Sequence, residues 1–286
     1  MSGMGPMPPP FRWSIALSSW HLAWLPSALL LIVLVAYLLG ARRSPDWPLG
    51  RSVAMVLACV VTFLGVESVL GVYDMVLFAD HMVQHLVLIM LAAPLFALAA
   101  PLDLARQASP APVRAALTRF LDGPVGAVLL HPLVGFGLYA VFIPVTHLSS
   151  LMNFAMGHLW AHHLEQIAFL VVGYLFFRSV FGIEASPHPL HPGFALIYLM
   201  AAVPVDTITG LALAMSSHNP YPVYDAMNRP WGPSVLADVH LGGAIMWIGG
   251  DGLMLLALIP AAVRWVRYED RRTREIDAEL DRAGAD

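Results

Sequence analysis

Long apolar runs separated by short clusters of Pro, Gly and Arg dominate the chain. A bilayer-spanning helix needs roughly 18 or more mainly apolar residues. Seven runs qualify, at approximately residues 20–40, 52–73, 78–100, 125–146, 154–181, 193–215 and 236–266. None shows the alternating segments of about ten residues that mark a barrel strand. The pattern therefore predicts an all-α polytopic membrane protein, a bundle of seven transmembrane helices. The leader MSGMGPMPPP lacks the positive region of a signal peptide, and Arg42 and Arg43 follow the first run, so that run is expected to stay as a helix. Three segments result: a Met/Pro-rich extracytoplasmic arm over 1–19, the membrane domain over 20–266, and a charged tail over 267–286. The tail mixes Arg with Asp and Glu at helical spacing, which predicts that it continues the last helix into the cytoplasm. No internal repeat is visible.

Composition removes the soluble alternative. Hydrophobic residues are 58%, charged residues 12% and the mean hydropathy is +0.71, against roughly 45–50% apolar and 25% charged in soluble domains. The net charge of −4 matters less than where the charges lie, and nothing supports nucleic-acid binding. The chain has no lysine, and with the N-terminus outside, all of its 15 arginines except Arg12 and Arg229 fall on the inner side. The positive-inside rule then predicts N-out, C-in. Cys59 is the single cysteine, which excludes a disulfide framework and a thiolate metal cluster.

The same topology sorts the 12 histidines. His21, His81, His85, His147, His158, His162, His163, His218 and His240 fall on the outer side, and only His131, His188 and His191 on the inner one. In DHMVQH, His81 and His85 are four apart, so both imidazoles project from one helix face as a bidentate pair. GHLWAHHLEQ repeats the spacing with His158 and His162, and Glu165 lies three further on. DVHLGGAIMW opens the last run with Asp238 and His240, while Gly242 and Gly243 permit close helix approach. Asp206 follows Pro204, where a kink could free backbone carbonyls. Neutral imidazole suits copper, zinc and iron, and carboxylates commonly orient such rings. Metal ligands are thus expected among His81, His85, His158, His162 and His240, with Gln84, Glu165, Asp206 and Asp238 as supporting or alternative ligands. Lone interfacial histidines such as His21, His147 and His218 read better as hydrogen-bonded helix-end residues, His163 points about 100° away from His162, and Asp238 reads equally well as a helix cap. Glu67 and Asp251 are intramembrane acids without an obvious partner in the sequence. Met1, Met4 and Met7 could form a Cu(I)-collecting arm, although a disordered Pro-rich leader fits that composition better.

These motifs resemble the CtaG family of cytochrome c oxidase assembly factors. The resemblance rests on HMVQHLVLIMLAAPLFAL, HLWAHHLEQIAFLVVGYLFF and DVHLGGAIMWIGG, and covers roughly residues 52–267. It implies a seven-helix protein of the bacterial plasma membrane needed to make active haem-copper oxidase, acting in copper supply or insertion. Carried over by motif, it marks His81, Gln84, His85, His162, Glu165, Asp238, Gly242, Gly243 and Trp247. This chain departs from the pattern at Asp238-Val239-His240, where Asp-Gln is expected, which adds a possible ligand. An unrelated single-span copper chaperone that shares the name carries a cysteine motif, which the lone Cys59 excludes.

The leading expectation is a non-enzymatic assembly factor that binds copper at an extracytoplasmic histidine site, with a haem-copper oxidase subunit or other assembly factors and the lipid bilayer as partners. An intramembrane zinc hydrolase is the first alternative, weakened because HMVQH places Gln84 where HExxH would place a base. A haem protein with axial histidines is the second, and a histidine-lined docking surface without metal is the third.

Overall fold

The computed structural model describes residues 7–16 and 18–283, and those residues are helical with no strand. Met1 and Met4 of the leader lie outside the described residues, and Met7 is exposed. Among the described residues six helices are long and apolar enough to cross a membrane, or seven if the bent pair Pro132–Leu148 and Leu151–Gly157 forms one span. The chain is a multi-pass membrane protein. We label the helices α1 (Trp24–Arg42), α2 (Leu49–Glu67), α3 (Phe78–Leu86, a π turn over Val87–Ala92, then Ala93–Ala99), α4 (Pro132–Leu148), α5 (Leu159–Phe181), α6 (Pro192–Ala214) and α7 (Val235–Ala244, a π turn over Ile245–Gly249, then Gly250–Ala283).

Two helices begin later than the apolar runs suggest. The run at 125–146 is split, because the residue before a proline is pushed out of the α region. His131 is extended before Pro132, and its Nδ1 accepts from the Leu133 amide at 3.1 Å, capping α4. The run at 154–181 is also split. His158 is extended (φ −140°, ψ 108°), α5 starts at Leu159, and the short helix Leu151–Gly157 is bent by 70° from α4.

The turns α2–α3, α4–α5 and α6–α7 gather at one end of the bundle, here called the histidine end. The start of α1 joins them, since the Glu67 carboxylate accepts from the Ala23 amide at 2.6 Å and from Ser27 Oγ at 2.8 Å. At the opposite end the buried Arg178 donates to Glu184 at 3.2 Å, and Glu184 also accepts from the Leu102 amide. α1 turns Leu29, Leu31, Ile32, Val33, Val35 and Leu39 outward, which fits a helix facing lipid. The core between α3, α4, α5 and α6 is filled by buried aromatics that include Tyr139, Phe169, Phe176 and Tyr198.

Without a hydrophobic drive between helices in lipid, close packing depends on small residues that let backbones meet. Gly173 of α5 is such a point against α3, since a Cβ there would lie 2.7 Å from Ala93 Cβ and 2.9 Å from the Ile89 carbonyl oxygen. Gly210 of α6 and Gly243 of α7 form another, where a Cβ on Gly210 would lie 2.7 Å from the Gly243 oxygen. We expect Gly173→Val to lower stability by about 1–3 kcal/mol through overpacking, read as a drop in Tm in detergent. Gly137→Ala in α4, where nothing lies within 4 Å, leaves Tm no lower.

Candidate metal centre

His81 and His85 sit in the first turns of α3, one helical turn apart, with ring centroids 4.1 Å from each other and both side chains buried. Opposite them, α5 presents Glu165, whose Oε2 lies 3.8 Å from His81 Nε2 and 4.0 Å from His85 Nε2. One ligand atom from each of the three residues falls within 4.8 Å of the others. Among the described residues, neither nitrogen of His81, nor His85 Nε2, nor Glu165 Oε2 has a hydrogen-bond partner. Separations of 3.8 and 4.0 Å are too long for a hydrogen bond. They are within reach of one shared cation bound at about 2.0–2.2 Å to each atom with a wide angle between them.

A second layer continues the same wall. The His162 ring of α5 lies 5.3 Å from that of His81, and its Nε2 is unpartnered and 3.6 Å from Asp74 Oδ2. Asp74, in the α2–α3 turn, is held by Gln84 Nε2, which donates to Asp74 Oδ2 at 2.7 Å and to the Gly65 carbonyl at 3.0 Å. Gln84 Oε1 in turn accepts from Gln166 Nε2 at 3.1 Å. On the other side His85 stacks on Phe169 at 3.7 Å and 22°, and its Nδ1 meets His147 Nε2 at 3.2 Å. A cavity of about 10 Å³ touches His85, His147 and Asp206 and is also lined by Met82, Met90 and Met246. The residues that can hold a metal are therefore His81, His85 and Glu165, with His162 and Asp74 beside them.

The chain matches the cytochrome c oxidase caa3 assembly factor family (Caa3_CtaG) over residues 34–268. It belongs to that family. Among curated proteins it is 30% identical to uncharacterized proteins of Mycobacterium bovis and Mycobacterium tuberculosis, over 98% of this chain and 44% of each of theirs. It is 31% identical to an uncharacterized protein of Mycobacterium leprae, over 93% of this chain and 42% of that one. The chain thus spans less than half the length of these relatives. No solved structure matches it.

In this CtaG-family chain the predicted site residues divide into two groups. His81, His85, His162, Glu165 and Gln84 come together. His158 and His240 stand apart from them. His158 is the residue before α5 rather than part of it, so its four-residue spacing to His162 is not helical, and it is exposed with Nδ1 2.9 Å from the Phe154 carbonyl. His240 lies two residues beyond Asp238, about 200° around the helix, and its Nε2 donates to the Ser216 carbonyl at 2.8 Å. Asp238 is a cap, of α3 rather than of its own helix: it accepts from the amides of Phe78 at 2.9 Å and Ala79 at 3.2 Å, while Ser234 caps α7. Asp206 accepts from Tyr139 at 2.5 Å and Asp251 from Thr207 at 2.7 Å, so hydroxyls partner both acids. Sequence reasoning passed over Asp74 and Gln166, and it read His147 as a hydrogen-bonded helix-end residue, which it is, without its contact to His85. The proximity of Asp74 to DHMVQH was a usable signal, whereas nothing in the sequence tells that His147 and Gln166 cross to α3. Asp238→Ala leaves two buried amides of α3 without an acceptor, and we expect a loss of about 1–3 kcal/mol. Thermal unfolding in detergent checks this.

Proposed function

We propose that this CtaG-family protein holds a copper ion on His81, His85 and Glu165 and supports its insertion into a haem-copper oxidase. The observation that supports this best is the convergence of three buried side chains from two helices whose facing atoms lack protein partners. Buried polar atoms in an apolar core are costly unless paired, and a cation supplies the missing partner for all three together. Family membership supplies the process, oxidase assembly, and favours a non-catalytic role in it. Three features favour copper as the cargo. An N/O ligand set of this kind suits borderline metals. Met82, Met90 and Met246 line a small cavity that also touches His85, and thioethers so placed would favour Cu(I). That cavity, which His85 lines and His81 and Glu165 do not, is far too small for a porphyrin.

The arginine asymmetry supports an orientation in a bacterial plasma membrane with the histidine end outside and the charged extension of α7 in the cytoplasm. A site at that end is positioned to exchange metal with an oxidase subunit or another assembly factor on the outer side. Neutral imidazoles and one carboxylate release metal more readily than a closed thiolate cage, as cargo handling requires.

Elemental analysis of detergent-purified full chain, loaded separately with Cu(I) and Zn(II) and then desalted, tests the reading. Wild type is expected to retain stoichiometric copper. His81→Ala/His85→Ala and the near-isosteric Glu165→Gln are expected to lose most of it, at a Tm close to wild type for the latter. In cells, the double variant is expected to abolish assembled, active oxidase. Copper-free wild type, or undiminished oxidase in the double variant, overturns the proposal. Retention of zinc alone turns the site toward zinc chemistry.

A further inference from the structure

We infer that His147 is a positioning residue that locks His85 in its Nδ1-protonated tautomer and so leaves a bare lone pair on His85 Nε2, 4.0 Å from Glu165 Oε2. The consequence for metal binding rests on the reading above; the tautomer is a property of the chain itself.

The argument starts at a carbonyl. The Ile143 oxygen can only accept, and His147 Nδ1 lies 2.8 Å from it, so that nitrogen carries the proton and donates. Thr146 Oγ1, 3.1 Å from the same nitrogen, donates its own proton to a backbone carbonyl and can only accept from His147. With Nδ1 protonated, neutral His147 has its lone pair on Nε2. His85 Nδ1 is 3.2 Å from that lone pair and must be the donor. The remaining nitrogen of neutral His85, Nε2, is then an unprotonated lone pair. It has no protein partner and lies 4.0 Å from Glu165 Oε2. Reversing the relay would set His147 Nδ1 and the Ile143 oxygen lone pair to lone pair at 2.8 Å.

The relay is held from outside. The His147 carbonyl accepts from Tyr221 at 2.5 Å, and Phe169 stacks on the opposite partner, His85. His81 differs, since neither of its nitrogens has a partner among the described residues. One member of the pair is therefore preset as a ligand and the other is not. A second ring nitrogen donated to a fixed acceptor is the usual means of setting a metal-ligating histidine, and its loss commonly lowers metal affinity by about 10–100-fold.

The test needs no metal for its first arm. The full chain carrying 15N-labelled histidine, metal-free, is examined by NMR, with the His85 resonances assigned by their loss in His85→Ala. Wild type is expected to show His85 with Nδ1 protonated and Nε2 bare. His147→Leu removes the acceptor and is expected to yield a mixture of tautomers. His147→Gln, whose side-chain oxygen can accept the same bond, restores the wild-type pattern. In the second arm, copper titration gives an affinity about 10–100-fold lower for His147→Leu and near wild type for His147→Gln. A protonated Nε2 on wild-type His85, or an unchanged tautomer in His147→Leu, overturns the inference. If the wild-type chain retains no metal, the metal reading fails while the tautomer result stands on its own, and a poorly folded Leu variant leaves the wild-type spectrum to decide.

Discussion

Hydrocarbon offers no hydrogen-bond partner, and that constraint orders this molecule. Nearly every polar group set deep in the bundle is matched by another group of the chain. Glu67 takes the Ala23 amide and Ser27, Asp206 takes Tyr139, Asp251 takes Thr207, Arg178 takes Glu184 and the Leu130 carbonyl, and Gln84 bridges Asp74, Gly65 and Gln166. Against that background the atoms without partners are conspicuous by position. Among the described residues, His81, His85 Nε2, His162 Nε2 and Glu165 Oε2 are neighbours on two facing helices with Asp74 Oδ1 beside them, and the others are single atoms of Ser44, Asp80, Ser216 and Asp251. Among the described residues the bundle satisfies most of its buried polar groups and gathers several of the unpartnered atoms in one place.

The same constraint explains how the open place is built. The first amides of a helix have no partner within it, and in a buried α3 that deficit would be severe. Asp238 of α7 meets it for Phe78 and Ala79, which pins the start of α3 to α7 where Gly242 lies against the Phe78 ring. The histidine pair follows within two turns of this pin. Directly after His85 the helix widens into a π turn, and α7 does the same over Ile245–Gly249, with Leu86 touching Gly249 and Gly250. π turns often mark functional positions. Here each supplies one methionine, Met90 and Met246, to the cavity beside His85 and His147.

How much of this was legible in the sequence depends on whether a relation lies within one helix or between two. The apolar runs locate the helices, and the four-residue spacing of His81 and His85 places them together because α3 is unbroken across them. The identical spacing of His158 and His162 misleads, since the chain is extended at His158. Periodicity presupposes a helix and cannot report where it starts. The role of Asp238 was half legible: a cap is a local idea, yet the amides it serves lie about 160 positions earlier. His147 is a lone histidine at the end of an apolar run; its bond to Ile143 is local, and only the tertiary fold brings its other nitrogen to His85. Pairings of this kind are set by helix rotation and crossing, which one sequence leaves undetermined.

The inequality within the histidine pair bears on how a cargo site can work. A ligand held on its far side, as His85 is by Phe169 and His147, loses little freedom when it meets a cation and so favours capture. A ligand with no partner on either nitrogen, as His81 is, loses more and is the weaker arm of the pair. Glu165 closes the set from a different helix, so any shift between α3 and α5 changes its distance to both rings at once. On the proposed reading, capture would begin at the preset ring, and release would follow from movement of Glu165, the one member of the set on another helix.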